Sequence, residues 1–414
     1  MKRIELLKLP PYCYPERISS SHLIEDLNEA LADAGIHTTV IAPTPCRGID
    51  EETRKRYKGI KHEQLANGSV DVYRFPLFKE GRNPVLRAFR YILCHVIQYC
   101  RGKQVPGVSV IYAASTPPTQ GVLCGRVAAK LSKKYKKKVS FVYHLQDVFP
   151  DSLVSAGLTS KGSLLWKLGR IIEDHTYRYA DKIVVISEDI KKNILAKGVP
   201  EKKIEVIPNW IDSDAVRPIR REENKLFDEL GIERDRFTAV YAGNLGKAQG
   251  VDTFIEAAAK LPDVQFLIFG EGSSREEIAK RCAGCANIRL FPLMPGSRVA
   301  EVYGLGDLCL VSCKAGLGSG AVPSKTFSIM AAATPVLLSF DEGTELWNLI
   351  EGEQCGICTH AGDSDELAAA IRWASSHRED LAAMGERARR CVEANYSKEV
   401  GTGRMLDVIK QLVE

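Results

Sequence analysis

Binding a diphosphate takes amides that the ligand can approach closely and a cation beside them. Residues 316–336 (GLGSGAVPSKTFSIMAAATPV) hold both in a short span. Gly316, Gly318 and Gly320 make a Gly-rich turn, Pro323 and Ser324 suit the N1 or N-cap positions of a helix, and Lys325 follows. Glycine lets backbone N–H groups meet a ligand, and a helix start adds unpaired donors and a positive dipole end. The stretch fits a diphosphate cradle. It fits equally a plain strand-to-helix connection with a solvated lysine. A second loop of the same kind, Gly243-Asn244-Leu245-Gly246-Lys247-Ala248-Gln249-Gly250, follows an apolar run at 237–241 and precedes a helix from Asp252.

A different set of groups follows the apolar run 139–144: His144, Gln146, Asp147 and Asp151. Polar side chains just past the carboxyl end of a strand line the crevice of an open α/β sheet. Asp147 and Asp151 serve equally as helix caps, and a histidine at a strand end is often satisfied internally. Cys282/Cys285 and Cys355/Cys358 form two CxxC pairs, 70 residues apart and in helix–loop and loop–strand contexts. The twelve cysteines read as small buried hydrophobes, and no structural zinc is expected.

These groups need a scaffold, and the apolar runs outline one. Runs at 4–9 and 38–42 flank a helix whose Leu23, Ile24, Leu27 and Leu31 keep helical spacing up to Gly35. This βαβ opening starts a parallel sheet, and without GxGxxG it is not a nicotinamide site. Further strands are predicted at 70–75, 108–113, 139–144, 182–187 and 204–208, with a polar loop over 51–67. The helix at 83–101 (NPVLRAFRYILCHVIQYCR) reads as a sheet-covering helix with its apolar side buried, or as a membrane-facing amphipathic helix. Lys133, Lys134, Lys136, Lys137 and Lys138 crowd the end of the next helix, as a solvated end or as contacts to anionic lipid. Nucleic acid is not expected, because no aromatic platform accompanies them. After the charged segment 217–235, strands are predicted at 237–241, 265–270, 288–291, 308–311, 335–339 and 357–359, with helices over 364–414.

The chain has 414 residues, 45% hydrophobic and 26% charged, which suits two soluble domains. Its net charge of +5 is divided unevenly: residues 1–200 carry 32 Lys+Arg against 19 Asp+Glu, and the remainder 25 against 33. The first half is therefore expected to meet something anionic. No apolar run spans a bilayer, and Lys2, Arg3, Glu5 and Lys8 break any signal-type core, so a cytoplasmic location is expected.

Val206-Ile207-Pro208-Asn209-Trp210-Ile211-Asp212 resembles the VIPNGVD connector of glycosyltransferase family 4, the GT-B class of retaining sugar-nucleotide transferases. Ile268-Phe269-Gly270-Glu271-Gly272 is similar to that family's strand ending in GxG, and Met330-Ala331-Ala332 with Pro335-Val336 to its EAMAxGxPV. Residues 115–118, the stretch from Gln146-Asp147 to Pro150-Asp151-Ser152, and Pro323-Ser324-Lys325 resemble the fucosamine-transferase subgroup of O-antigen, capsule and colanic-acid synthesis. The resemblance runs nearly end to end, with two departures. The family's Glu-x7-Glu pair falls on Gly320 and Ser328, and its Arg and Lys of the first phosphate loop fall on Asn244 and Gln249.

The resemblance implies two Rossmann-like doubly wound α/β domains. Residues 1–205 would bind the acceptor, residues 206–395 the nucleotide sugar, and a helix at about 396–414 would pack back on the first domain. It implies a retaining, metal-independent transfer from a UDP-sugar, an N-acetylated amino sugar such as N-acetylfucosamine, to a lipid-linked or glycan acceptor at the inner membrane face. Lys247 and Lys325 would stabilise the leaving diphosphate in place of a divalent ion. Gly243, Asn244, Gly270, Glu271, Val322, Ser324, Thr326 and Ser328 would line the donor, with the uracil near Leu293 and Met294. His144, Gln146 and Asp147 would orient the acceptor, and Arg17 would touch its phosphate. The basic half would dock on anionic headgroups. A GT-B nucleotide-sugar 2-epimerase and a non-catalytic GT-B partner subunit are the alternatives.

Overall fold

Continuous apolar runs such as Leu308–Ser312 (LCLVS) and Val336–Phe340 (VLLSF) leave no polar face for water, so they form strands covered on both sides. The computed structural model describes residues 4–16, 21–81, 83–155, 157–318 and 322–413. It divides into two compact units, residues up to Pro208 with those from Thr402 onward, and Asn209–Gly401.

The first unit contains β1 (Glu5–Lys8), α1 (Ser21–Asp33), β2 (His37–Pro43), α2 (Glu51–Tyr57), β3 (His62–Leu65), β4 (Val70–Phe75) and α3 (Pro84–Gly102). β5 (Val110–Ala114), α4 (Gln120–Tyr135), β6 (Ser140–Leu145), α5 (Asp151–Ser155), α6 (Leu164–Tyr179), β7 (Lys182–Val185), α7 (Glu188–Ala196) and β8 (Ile204–Val206) follow. Its sheet has the order β3-β4-β2-β1-β5-β6-β7-β8, and every pair is parallel except β3 with β4. The polar stretch 51–67 is not the loop expected. Asp50 caps α2 by accepting from the Thr53 N–H, and β3 pairs with β4 along His62–Leu65. Side-chain capping and ladder pairing order it without an apolar period.

The second unit contains α8 (Leu226–Leu230), β9 (Thr238–Asn244), α9 (Val251–Ala259), β10 (Gln265–Glu271), α10 (Arg275–Cys282), β11 (Ile288–Phe291), α11 (Val299–Tyr303) and β12 (Leu308–Ser312). α12 (Lys325–Ala331), β13 (Val336–Phe340), α13 (Glu345–Gly352), β14 (Gly356–His360), α14 (Ser364–Ser375), α15 (Arg378–Asn395) and the start of α16 (Lys398–Gln411) complete it. All its pairs are parallel, in the order β11-β10-β9-β12-β13-β14. Side chains alternate across β9, so Val240 and Ala242 join one apolar cluster while Ala239 and Tyr241 join the other. Cys355 lies in the first cluster and Cys282 in the second, so the two CxxC pairs do not converge.

The helix predicted at 83–101 forms, with Asn83 accepting from the Val85 and Leu86 N–H groups and Pro84 in the first turn. Its expected burial is not observed. Val85, Leu86, Phe89, Ile92 and Val96 are exposed, and Arg90 and Gln98 are buried instead. Among the described residues, no helix is long and apolar enough to cross a membrane.

Candidate functional site

In a parallel sheet all strand carboxyl ends share one edge, so each unit gathers the residues that follow its strands. In the second unit β9 ends at Gly243 and Asn244, paired in register with Gly270 and Glu271 of β10. A Cβ on Gly270 would overlap the Gly243 carbonyl oxygen, and Gly243 itself has φ +147°, which side-chain-bearing residues rarely adopt. These two glycines let the strand ends approach. The loop from Leu245 is then pinned on both sides. Leu245 N–H donates to the Glu271 carbonyl (2.8 Å), Lys314 N–H to Ala248 (2.9 Å) and the Ser312 hydroxyl to Gln249 (2.6 Å).

Lys325 opens α12 and reaches back to this loop. Its Nζ stands 3.8 Å from the centre of the Tyr241 ring and 3.7 Å from where a Gly243 Cβ would lie. The Tyr241 hydroxyl donates to the Asn244 carbonyl at 2.7 Å, which fixes that ring. Part of Lys325 is open to solvent, but Nζ is buried and has no hydrogen-bond partner among the described residues. Desolvation lowers its pKa to about 7. When protonated, a buried lysine that faces a ring and, among the described residues, no anion can accept one.

Other expected donor residues are placed less tightly. Lys247 is exposed on the short turn Lys247–Gln249, and Asn244 is exposed beside it. Glu271 pairs with Arg275 at 3.2 Å. Leu293 is exposed past the end of β11, while Val322 and Met294 pack partly against the core. Thr326 is buried, its hydroxyl without a partner among the described residues, and Ser328 is half-buried one turn into α12.

Two expectations about the cradle need correction. Ser324 stands at the N-cap but makes no side-chain cap, because its backbone is already helical (φ −58°, ψ −25°). α12 has only 7 residues, so positive charge here comes from Lys325 rather than from a long helix. The Gly316 and Gly318 amides are not free for a ligand: they donate to the two carboxylate oxygens of Asp341, at 2.9 and 2.7 Å. Sequence reading missed Asp341, whose signal was an acid directly after β13. Gly320 and Arg17 lie outside the described residues.

In the first unit β1, β5 and β6 bring Lys8, Tyr112 and His144 together. Lys8 pairs with Tyr112 in register, and its Nζ donates to Asn28 at 2.6 Å and lies 5.1 Å from the Tyr112 ring centre. The Tyr112 hydroxyl meets His144 Nδ1 at 2.7 Å, and His144 Nε2 is buried without a partner among the described residues. Burial lowers the His144 pKa to about 4 and that of Lys8 to about 7. His144 is thus neutral at neutral pH, with one ring nitrogen held and one free. Ser115 Oγ accepts from the Gln146 and Asp147 N–H groups, at 3.2 and 3.4 Å, and shapes the turn after β6. Asp147 is exposed at its rim, and the protein packed around it pushes its carboxyl pKa up. Asp151 is a structural tie instead, bonded to Lys197 (2.8 Å), Asn193 and Trp166 (both 3.2 Å). The sequence marks Lys8 only as a charge interrupting an apolar stretch and Tyr112 only as part of an apolar run, so neither is legible as a partner of His144.

Comparison with known proteins agrees with both halves. Residues 21–215 match the model for Glycosyltransferase Family 4, and residues 222–391 that for Glycosyl transferases group 1. The chain is 28% identical over 287 residues to the probable glycosyltransferase WbjE of Pseudomonas aeruginosa, covering 68% of this chain and 70% of that one. It is 28% identical over 257 residues to the putative colanic acid biosynthesis glycosyl transferase WcaI of Escherichia coli, 60% of this chain and 62% of that one. The solved structure of HepE from Anabaena, in complex with UDP, superposes with a TM-score of 0.71 at 15% identity, covering 99% of this chain and 100% of that one. Two parallel α/β units, a pinned glycine loop with a buried lysine, and these matches make the chain a glycosyltransferase of the GT-B fold, its first half of the family 4 type and its second of group 1.

Proposed function

We propose that the chain is a retaining transferase that moves a sugar from a UDP-sugar to a lipid-linked or glycan acceptor in bacterial surface polysaccharide synthesis. The sugar proposed is an N-acetylated amino sugar such as N-acetylfucosamine. The observation that carries this reading is the buried Lys325 Nζ beside Gly243, which has no hydrogen-bond partner among the described residues. The name of WcaI, with its colanic acid pathway, and the UDP held by HepE supply the chemical context.

In the transfer the C1–O bond to the diphosphate breaks, and its electron pair leaves with the phosphate oxygen. The acceptor oxygen bonds C1 from the same face, and its proton passes to the departing diphosphate. Negative charge grows on the leaving group, so a preorganised cation at Lys325, joined by Lys247 from the loop, lowers the barrier. His144 Nε2 and Asp147 sit at the strand edge of the first unit, where the acceptor hydroxyl would be oriented. The proposed location is the inner face of the cytoplasmic membrane, reached through the basic first unit.

Isothermal titration with UDP and GDP, in the presence of a chelator, tests the reading. Binding of UDP that persists with the chelator and is lost in Lys325→Ala supports it. Failure of every nucleoside diphosphate to bind overturns it and leaves the non-catalytic subunit.

A further inference from the structure

Two helices of the first unit are built with their polar sides inward. On α3 the inward residues are Arg90, Cys94 and Gln98, each 0% exposed. Arg90 Nε donates to the Phe78 carbonyl (3.0 Å) and Nη2 to Cys46 Sγ (3.2 Å), while Gln98 donates to the Pro10 (2.8 Å) and Ile41 (3.0 Å) carbonyls. The opposite stripe is Val85 (74% exposed), Phe89, Ile92 (61%) and Val96, at i, i+4, i+7 and i+11. α6 repeats the arrangement. Gly169, Glu173, Thr176 and Tyr177 face in, and Leu164 (75% exposed), Leu165, Leu168 and Ile171 face out. Glu173 is bonded at 2.9 Å by Lys197, which follows α7, so this helix is not free to roll either. Water-soluble helices do the reverse, and an apolar stripe held outward marks a surface that is covered in use.

The two stripes lie at one end of the helical layer. α3 and α6 flank α4 and run in its direction. His95 meets Thr119 (2.8 Å) just before α4, and a Cβ on Gly102 would touch Val127. On the other side Cβ atoms on Gly121 and Gly125 would overlap Thr176 and Tyr179. The first two to three turns of α3 and of α6 therefore project past the start of α4, by roughly 15 Å. Helices of a parallel sheet begin at the strand carboxyl edge, which is where His144 and Asp147 sit. Exposed Lys79, Lys161 and Lys167 fringe the apolar residues. Of the acids on and beside the two helices, Glu80 is engaged by Arg87 and Tyr12, Asp174 by Arg170 and Asp151 by Lys197, while Asp147 stands exposed at the same edge.

We infer that the projecting halves of α3 and α6 form one face that inserts into the headgroup layer of an anionic bilayer. Outward Leu, Ile, Val and Phe enter the acyl boundary, and the basic fringe meets lipid phosphates. The inference rests on the proposed lipid-linked acceptor for its purpose, and on the helices alone for its geometry. It also separates two features, each of which the sequence allows to meet lipid. The lysines at 133–138 close the far end of α4, about 24 Å from its start for a helix of 16 residues, and so lie off this face.

The test is co-sedimentation of the full chain with vesicles of phosphatidylcholine containing phosphatidylglycerol. The variants are Phe89→Ser with Ile92→Ser, Leu165→Ser with Leu168→Ser, and a control, Lys133→Ser with Lys134→Ser and Lys137→Ser. Each apolar pair is expected to lower partitioning at least ~tenfold, and the lysine control less than ~threefold. UDP titration is expected to be unchanged in all three, which separates a failed docking face from a failed donor site. Each helix is tested by its own variant, so misfolding of one leaves the other decisive. Three results would overturn the inference. One is the absence of wild-type vesicle binding, and another is unchanged binding in both apolar variants. The third is a wild-type dimer by light scattering that these substitutions dissociate, which would assign the face to a second copy.

Discussion

The Lys325 ammonium lies 3.8 Å from the centre of the Tyr241 ring, buried and without an anionic partner among the described residues. The ring's quadrupole offsets only part of the lost hydration, so the ligand-free protein carries a destabilising charge. Lys325→Met is expected to raise ligand-free stability by about 1–3 kcal/mol and to weaken UDP binding roughly ten- to a hundredfold. Thermal unfolding beside titration reads both. A loss of both together would make Lys325 a structural residue.

Donor affinity should depend on pH through the same group. With a free-state pKa of about 7, Lys325 is protonated below that pH and increasingly neutral above it. A diphosphate selects the charged form, so affinity should be flat below pH 7 and fall by up to about tenfold per unit above it. Titration at pH 8 in buffers of different ionisation enthalpy should show proton uptake. In the absence of ligand the sign reverses: the unfolded chain holds the extra proton between pH 7 and the ordinary lysine range, so stability rises through that window. Lys325→Met removes both slopes.

Gly270→Ala tests the close approach of β9 and β10. The added methyl would overlap the Gly243 carbonyl oxygen, and neither strand can yield without breaking register at Gly243–Gly270. Destabilisation of about 1–3 kcal/mol is expected, with UDP binding impaired in whatever folds. Denaturant titration checks the first and calorimetry the second. Wild-type values in both would show the strand ends to be looser than described.

Tyr112→Phe leaves His144 Nδ1 buried without its partner. The cost in stability is expected to be about 1–2 kcal/mol. As a positioning residue Tyr112 should affect transfer and not donor binding: kcat/KM for acceptor falls while UDP affinity holds. Since burial already holds the His144 pKa near 4, the wild-type rate should show no limb from this histidine between pH 5 and 8. Such a limb, abolished in Tyr112→Phe, would contradict the assignment of a neutral ring.

Most of the scaffold could be read from the chain because its strands are apolar runs with no competing period. β4 and β11 coincide with the expected spans, and the other strands written as apolar runs differ by a residue or a few at their ends. β3 and α2 were missed because capping by Asp50 and pairing with β4 order a stretch without apolar periodicity. The loop with Lys247 and the helix start with Lys325 were legible as candidates, but the pairing inside the turn at Gly316 and Gly318 was not. Asp341 occupies amides that glycine spacing alone marked as free, and only tertiary pairing brings it there. Helix α3 failed in the opposite way. A hydrophobic stripe shows that two faces differ but not which one points inward, and Arg90 and Gln98 decide that through carbonyls from other elements.

The separation of α4 from α6 is set by two absent methyl groups. Gly121 rests on Thr176 and Gly125 on Tyr179, in contacts that admit no larger residue. The outer helix is thus keyed to the sheet at a fixed spacing, and its leucines need not be assembled when a surface arrives. A prearranged face loses little conformational freedom on contact, so its residence is governed by how fast it leaves. Alanine at either glycine would spread the pair, and on the docking proposed above the expected consequence is a yielding template that lets go of the surface sooner.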